Sequence, residues 1–520
     1  PSRHLQPRWL RPHALVGSHV MREVFGAIVL ALVAGELLGF RPFAVLGVVL
    51  SWCSQHTPQW LSGFWLNFGG FVTSVVYTIA YRKRHPGANP NRKWLDFHQI
   101  NMTAHFDVNG SYQITNVATL DPPASHAAVS EAAAELQRRH PLLRAALRRE
   151  YGARLKVPSP PMVFMDCSAG GPVEVLEYQC PVHEAVDREQ LSPLDPEVLG
   201  WRLALCGPHL LLSYHHCFMD GVSLMAVLED LLTLLDGRDL AGPCERAMSP
   251  PPRDDLPWYL PWIVLRQGHA APGLGRRRPA WVKPLAVGVP WQERRMKQVW
   301  RTLPSDVTGR LVERCRAEST TVSGALAAAT CLSMAGVLHV TSPFRCSTSV
   351  NIRRDCKRDP RTLGNYVGAL ASELLPERTF WELARAYKAD LVSLMRERQH
   401  LRLALRQPWS YSLQLTTGLK THPHADNDPG IGSDLAISNR GAFHIASKAH
   451  RITAVHWVRQ HRADNHTDFL LLNACSVNGV LCLTLCYKHP IVEDLAVVAI
   501  ADALMDQLVG ATDAVDVAHR

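Results

Sequence analysis

The run His215-His216-Cys217-Phe218-Met219-Asp220-Gly221 constrains this chain more than any other feature. Before it lies Leu210-Leu211-Leu212-Ser213-Tyr214, an apolar stretch of strand length. After it lies Val222-Ser223-Leu224-Met225-Ala226-Val227-Leu228, whose apolar residues suit a helix face. The expectation is a buried strand, a tight turn and a helix packed on the core. A histidine on such a turn can take a proton from a bound hydroxyl or amine. The plainer alternative is a pair of structural histidines with a turn aspartate.

The residue types of this run resemble the His-His-x-x-x-Asp-Gly signature of coenzyme-A-dependent acyltransferases and of the condensation domains of peptide synthetases. Further segments extend the resemblance in order along the chain. Arg138 to Ala145, containing His140-Pro141-Leu142-Leu143-Arg144, is similar to the HPxLR segment that follows their first helix. Ser319 to Ala329 is similar to their T-V-x-x-x-L-x-A-A helix. Ser349-Val350-Asn351-Ile352-Arg353-Arg354, followed by Leu363-Gly364-Asn365-Tyr366-Val367-Gly368, resembles their V-N-x-R … G-N region. Ile437-Ser438-Asn439-Arg440-Gly441 resembles their S-N-x-G strand. The matches span roughly residues 93–515. The Asp-Gly-x-Ser-Leu-Met continuation is most similar to wax ester synthase/diacylglycerol acyltransferases. The Ser-Asn-Arg-Gly segment fits alcohol acetyltransferases and polyketide-associated acyltransferases about as well.

The resemblance implies an α/β chain with a two-lobed, chloramphenicol-acetyltransferase-like fold around a central tunnel. It makes His216 the general base, with His215 supporting the loop and a secondary catalytic part left open. Asp220 is expected to turn away and pair with an arginine of the second lobe, Arg353, with Arg354 as the nearby competitor. Gly221 would let the backbone approach a reacting carbonyl closely. The Gly221 amide, Ser438 and Asn439 are the candidate oxyanion donors. Acyl-CoA would be a co-substrate, with no bound cofactor, and a lipid alcohol the acceptor, in wax ester or triacylglycerol synthesis. A short or polyketide-derived alcohol, an amine, or a donor held on a phosphopantetheinyl carrier remain alternatives. So does a catalytically silent lipid-binding relative. Cys217 inside the motif is conceivable as a thiol nucleophile, but the motif needs no covalent intermediate.

Charge argues against nucleic acid as a partner. Of the net +9, residues 1–92 carry nine Lys/Arg against Glu23 and Glu36, while the remaining residues are close to balanced. The basic excess therefore flanks apolar segments and makes no nucleic-acid-binding face. Leu61 to Tyr81 is 21 residues without a formal charge, ending at Arg82-Lys83-Arg84. That length spans a bilayer as a helix, and the basic cluster marks its cytoplasmic end. The earlier run Val24 to Trp52 is broken by Glu36, Gly39, Arg41 and Pro42, and reads as one span with a re-entrant piece or as two short helices. The expectation is an N-terminal membrane anchor over residues 1–92, in the endoplasmic reticulum or another internal membrane, with the catalytic part facing the cytoplasm. A signal peptide or a buried helical layer are the competing readings of these runs. Three Asn-x-Ser/Thr sequons, at Asn101, Asn109 and Asn465, would matter only if the domain were lumenal.

The 13 cysteines form no C-x-x-C pair and no Cys/His spacing that suits zinc, so no metal site is expected. Residues 93–240 read as the first lobe, with strands near 98–107 and 111–119 and a helix over 124–139 burying Val129, Ala132, Ala133 and Leu136. Residues 241–295, rich in Pro, Arg and Trp, read as an inter-lobe linker that either packs on both lobes or dips into a bilayer surface. Residues 296–520 read as the second lobe, with strands near 346–351, 434–439, 469–475 and 481–487 and a closing helix over 491–509.

Overall fold

A computed structural model of the chain describes residue 89 and residues 91–150, 162–241, 247–256, 293–401, 404, 433–445, 447–460 and 469–513. The first lobe opens with β1 (Arg92–Trp94) and α1 (Phe97–Asn109). Asp96 caps α1 by accepting from Gln99 N at 2.9 Å, while the Gln99 side chain accepts from Asp96 N at 3.2 Å. The helix stops at Gly110, which is left-handed at φ 69. The strand expected near 98–107 is therefore a helix. Its capping box and glycine stop satisfy backbone groups at both ends, and they outweigh a short apolar alternation.

β2 (Gln113–Asp121) and α2 (His126–Arg139) follow, and α2 buries Val129, Ala132, Ala133 and Leu136. Next come β3 (Ala146–Glu150), β4 (Met162–Asp166), β5 (Val175–Glu177) and α3 (Val182–Leu191). β6 (Trp201–Cys206) and β7 (His209–His215) form a hairpin over Gly207-Pro208, with Gly207 at φ 56. Beyond the motif turn lies α4 (Gly221–Leu235), which ends at Asp236 before a left-handed Gly237 at φ 69.

The second lobe contains β8 (Arg295–Leu303), α5 (Ser305–Ala317), α6 (Val322–Leu338), β9 (Phe344–Asn351) and β10 (Val367–Leu374). It continues with α7 (Phe380–Arg396), β11 (Leu435–Phe443), β12 (Arg451–Arg459), β13 (Leu470–Val477), β14 (Val480–His489) and α8 (Asp494–Asp513). Among the described residues the strands make three sheets, ordered β1-β4-β3, β12-β2-β7-β6-β5 and β10-β9-β11-β13-β14-β8.

Strand β12 crosses between lobes. It comes late in the chain, yet it pairs antiparallel with β2, from Arg451 opposite Asp121 to Arg459 opposite Ile114. Its Ile452, Val455 and Trp457 join the apolar core of the first lobe, together with Cys475 and Cys482 from β13 and β14. The two lobes therefore share buried surface as well as a chain connection. The apolar runs expected to anchor the chain lie outside the described residues, as does most of the 241–295 linker. Among the described residues, the stretch Asp494–Thr512 of α8 is long and apolar enough to cross a membrane. It buries Val497, Ile500, Leu504 and Leu508 in the second-lobe core, which accounts for its composition without a bilayer.

Because β12 is shared, a cavity in it weakens both lobes. Ile452 is 1% exposed, and Ile452→Ala should cost about 2–5 kcal/mol, read as a lowered denaturant midpoint for the whole domain.

Candidate active site

The motif turn is held by one buried ion pair that joins the lobes. Asp220 and Arg353 are each 2% exposed. Arg353 Nη1 donates to Asp220 Oδ2 at 2.7 Å, and Nη2 donates to Oδ1 at 2.9 Å. This fork geometry is the strongest that a guanidinium and a carboxylate can make. Asp220 is also the N-cap of α4, accepting from Ser223 N at 2.8 Å, and it accepts from Tyr366 N at 2.9 Å. Arg353 further donates to the Thr362 carbonyl at 3.0 Å and to Ser223 Oγ at 2.8 Å. The Tyr366 ring lies under it, 4.8 Å from the guanidinium carbon. Burial alone would raise the Asp220 pKa, but the Arg353 charge and these hydrogen bonds outweigh it and hold the carboxyl below its ordinary value. Arg354, the neighbouring candidate, is exposed on a turn.

His216 sits on the turn that this clamp secures. Its Nδ1 lies 2.9 Å from the Met219 carbonyl. A carbonyl can only accept, so Nδ1 carries the proton of the neutral ring and Nε2 keeps its lone pair. The backbone is fixed from both sides: His216 N donates to the Tyr112 carbonyl at 2.8 Å, and Asn365 Nδ2 donates to the His216 carbonyl at 2.8 Å. The ring faces a cavity of about 450 Å³ lined from both lobes, within the usual range for small-molecule sites. Burial, then the nearby Arg459, pushes its pKa down to about 4. It is therefore neutral at neutral pH.

His215 is placed differently. It is sealed at 0% exposure, its ring 4.5 Å from Phe106, and its Nδ1 accepts from Cys217 N at 3.1 Å. It is not among the residues that line the cavity, and its hydrogen bond with Cys217 N lies within the turn. Cys217 is sealed as well, and burial pushes its thiol well above the ordinary range, which removes it as a nucleophile.

Of the oxyanion candidates, Ser438 and Asn439 both line the cavity. The Asn439 amide is engaged, donating to Ser323 Oγ at 3.0 Å and accepting from Gly441 N at 2.9 Å. Ser438 Oγ has no such tie among the described residues. Gly221 is close-packed, but against Arg440: a Cβ there would collide with Nε and Cδ of that side chain. The glycine is thus required by an arginine as well as by any substrate that approaches.

Three cavity residues were not singled out in the sequence. His98, on α1, has a buried Nε2 with no hydrogen-bond partner among the described residues, and burial, then His216, pushes its pKa down to about 3. Arg440 follows Ser438-Asn439 on β11, and Arg459 ends β12. No local pattern marks these residues; the S-N-x-G resemblance treats position 440 as variable. Among the described residues, no group of three or more His, Cys, Asp or Glu side chains is arranged to hold a metal ion.

Asp220→Asn removes one charge and leaves Arg353 buried, so it should destabilise the fold by about 3–5 kcal/mol. Arg354→Ala should stay within about 0.5 kcal/mol of the parent. Urea denaturation of the two variants side by side checks the pair.

No family model and no curated protein matches the sequence. Solved structures do match. The epimerization domain from the third module of tyrocidine synthetase B superposes with a TM-score of 0.57 at 15% identity, over 82% of this chain and 97% of that one. The condensation domain from Monacolin K polyketide synthase gives 0.58 at 14%, over 81% and 97%. The trichothecene 15-O-acetyltransferase from Fusarium sporotrichioides gives 0.56 at 12%, over 82% and 96%. The chain thus has the fold of these epimerization-domain, condensation-domain and acetyltransferase structures.

Proposed function

We propose that the chain is an acyltransferase in which His216 acts as general base on an acceptor hydroxyl. The observation that carries this reading is the His216 ring itself. Its proton is pinned on Nδ1 by the Met219 carbonyl, while Nε2 faces an inter-lobe cavity. The acceptor O–H gives its proton to Nε2 as the oxygen attacks the carbonyl carbon of an acyl thioester. The carbonyl electrons move onto oxygen, where Ser438 Oγ is the available donor. The tetrahedral species then collapses, the C–S bond breaks, and the imidazolium returns its proton to the leaving thiolate. The products are an ester and a thiol. A ring this reluctant to hold a proton is free as a base across the neutral range, and its imidazolium surrenders the proton readily.

Within that reaction, acyl-CoA is the proposed donor and a lipid alcohol the proposed acceptor, as in wax ester or triacylglycerol synthesis. Met102, Ile114, Leu370 and Leu471 give the cavity apolar wall suited to acyl chains. The uncharged Leu61–Tyr81 segment with its Arg82-Lys83-Arg84 flank supports attachment to an internal membrane, the catalytic lobes on the cytoplasmic side. Membrane lipid would then deliver the acceptor.

His216→Ala should lower kcat by roughly 10²–10⁴-fold while leaving the thermal midpoint near that of the parent. Ester formation from labelled acyl-CoA and long-chain alcohols in isolated membranes reads this, and an unchanged rate removes His216 from the mechanism.

Two pH dependences follow with defined signs. Transfer needs neutral His216, so kcat/KM should be flat from about pH 8 to about pH 5 and fall on an acid limb near about 4. Stability should fall earlier. His98, His215, His216 and His456 are held neutral by burial, with pKa values of about 3, 3, 4 and 4, against an ordinary 6.5. The unfolded chain binds these protons first, so stability is full above about pH 6.5 and is lost as pH drops below it. Thermal unfolding followed from pH 8 to 5 measures that loss apart from catalysis.

A further inference from the structure

Arg440 is a cation built into the cavity without a carboxylate of its own. Its guanidinium carbon lies 3.6 Å above the centre of the Trp457 ring, and Nη1 donates to Asn116 Oδ1 at 2.8 Å. Asn116 is itself buried and tied to the Leu212 carbonyl at 3.3 Å. Stacking and one hydrogen bond hold the plane of the guanidinium. They leave donors of its fork unused, because among the described residues no Asp or Glu forms an ion pair with it. Asp220 is the one carboxylate in the described lining, and the lining histidines His98 and His216 are neutral, so they neither compensate nor add to the Arg440 charge. Asp220 is already neutralised by Arg353. A guanidinium that is half-buried, pre-oriented and uncompensated is costly unless something anionic comes to it.

Its position says which substrate would bring that anion. Arg440 packs directly on Gly221, and Gly221 lies two residues, at most ~7.6 Å of chain, from Met219, whose carbonyl holds His216. The guanidinium is therefore a neighbour of the reacting centre. Phosphates of a coenzyme or carrier donor are separated from the thioester by the whole pantetheine arm. An anion on the acceptor, a short chain away from its hydroxyl, is within reach.

The geometry points to Arg440 as the recognition site for an anionic oxygen group, carboxylate or phosphate, on the acyl acceptor. The inference rests on the acyl-transfer reading, and it replaces the neutral wax ester or triacylglycerol acceptor with an anionic one. The acceptor is a hydroxyl amphiphile with an acidic group, and a neutral fatty alcohol is the poorer substrate. Trp457 supplies the face on which the guanidinium stacks, and Asn116 sets its tilt. A bidentate contact from the remaining donors fits either anion.

The full chain in its membrane, supplied with an acyl thioester, tests this with matched acceptors whose anion lies close to the hydroxyl: 3-dodecanol, 3-hydroxydodecanoate and the 1-monophosphate of 1,3-dodecanediol. The wild type should favour an anionic acceptor over dodecanol in kcat/KM. Arg440→Gln should reduce that ratio by roughly 10–100-fold, the usual worth of a charged hydrogen-bonded contact, with dodecanol as the internal reference. Arg440→Lys should fall between, and it carries the test alone if Arg440→Gln does not fold. A wild type with no preference for either anion, or an Arg440→Gln variant with its preference intact, overturns the proposal. Repeating the series with an acyl-N-acetylcysteamine donor, which has no phosphate, separates the two sources of anion. An Arg440 effect seen only with acyl-CoA assigns the site to the donor and overturns the acceptor assignment. If no thioester is turned over by the wild type, the acyl-transfer reading fails. Calorimetric titration of 3-hydroxydodecanoate against 3-dodecanol, wild type beside Arg440→Lys, then still decides the anion site: equal affinities in both proteins reject it.

Discussion

Asp220 and Arg353 are separated by most of a lobe in sequence, and they meet as a doubly hydrogen-bonded ion pair almost closed to solvent. A pair of this kind is weak evidence for net stability, since desolvating both charges costs nearly what their attraction returns. Its consequence is positional. Through Asp220 it caps α4, through Ser223 and Gly364 it ties the helix start to the second lobe, and through Tyr366 N it orients the strand that follows. His216 lies on the short turn between the end of β7 and that cap. The imidazole is thus placed by a contact that exists only when both lobes are present and correctly docked.

The shared strand also ties the two lobes at the cavity. β12 leaves the second lobe to extend the sheet that contains β2 and β7, and its Trp457 and Arg459 then face the cavity that His216 faces. A cavity held by both a buried ion pair and a hydrogen-bonded strand cannot open by simple separation of the lobes. Its walls draw on residues from both halves of the chain, so substrates meet groups that no single lobe could present together.

The electrostatics of this space are lopsided. Its one described carboxylate is paired with Arg353, while Arg440 lines the same space beside histidines that burial holds neutral. Positive surroundings and burial both favour the neutral imidazole, and Arg459 contributes directly to the low pKa of His216. The same field would favour negative charge as it develops on a carbonyl oxygen, or as a substrate carries it in. The neutral imidazole of His216 and the proposed anion site therefore share one cause.

Much of the frame was legible in the chain because it is local. The apolar run before the motif, the Gly207-Pro208 turn, the Asp236-Gly237 stop and the spacing of Val129, Ala132, Ala133 and Leu136 each encode an element within its own residues. Where two local signals competed, periodicity misled: α1 shows alternation, but its capping box and Gly110 decide the conformation. His216, Asp220 and Arg353 could be named through the motif resemblance, and the choice of Arg353 over Arg354 came with it. Sequence alone had no means to see that His215 is sealed, that Asn439 is spent on Ser323, that β12 belongs to the other lobe's sheet, or that Arg440 stacks on Trp457 beside Gly221. Those facts depend on pairings between distant segments, and neither hydrophobic period nor turn chemistry carries information about which strand meets which. The sequence by itself determined the elements and the reactive turn. The tertiary structure decided which side chains share the cavity with it, because exposure and charge compensation are properties of the packed molecule.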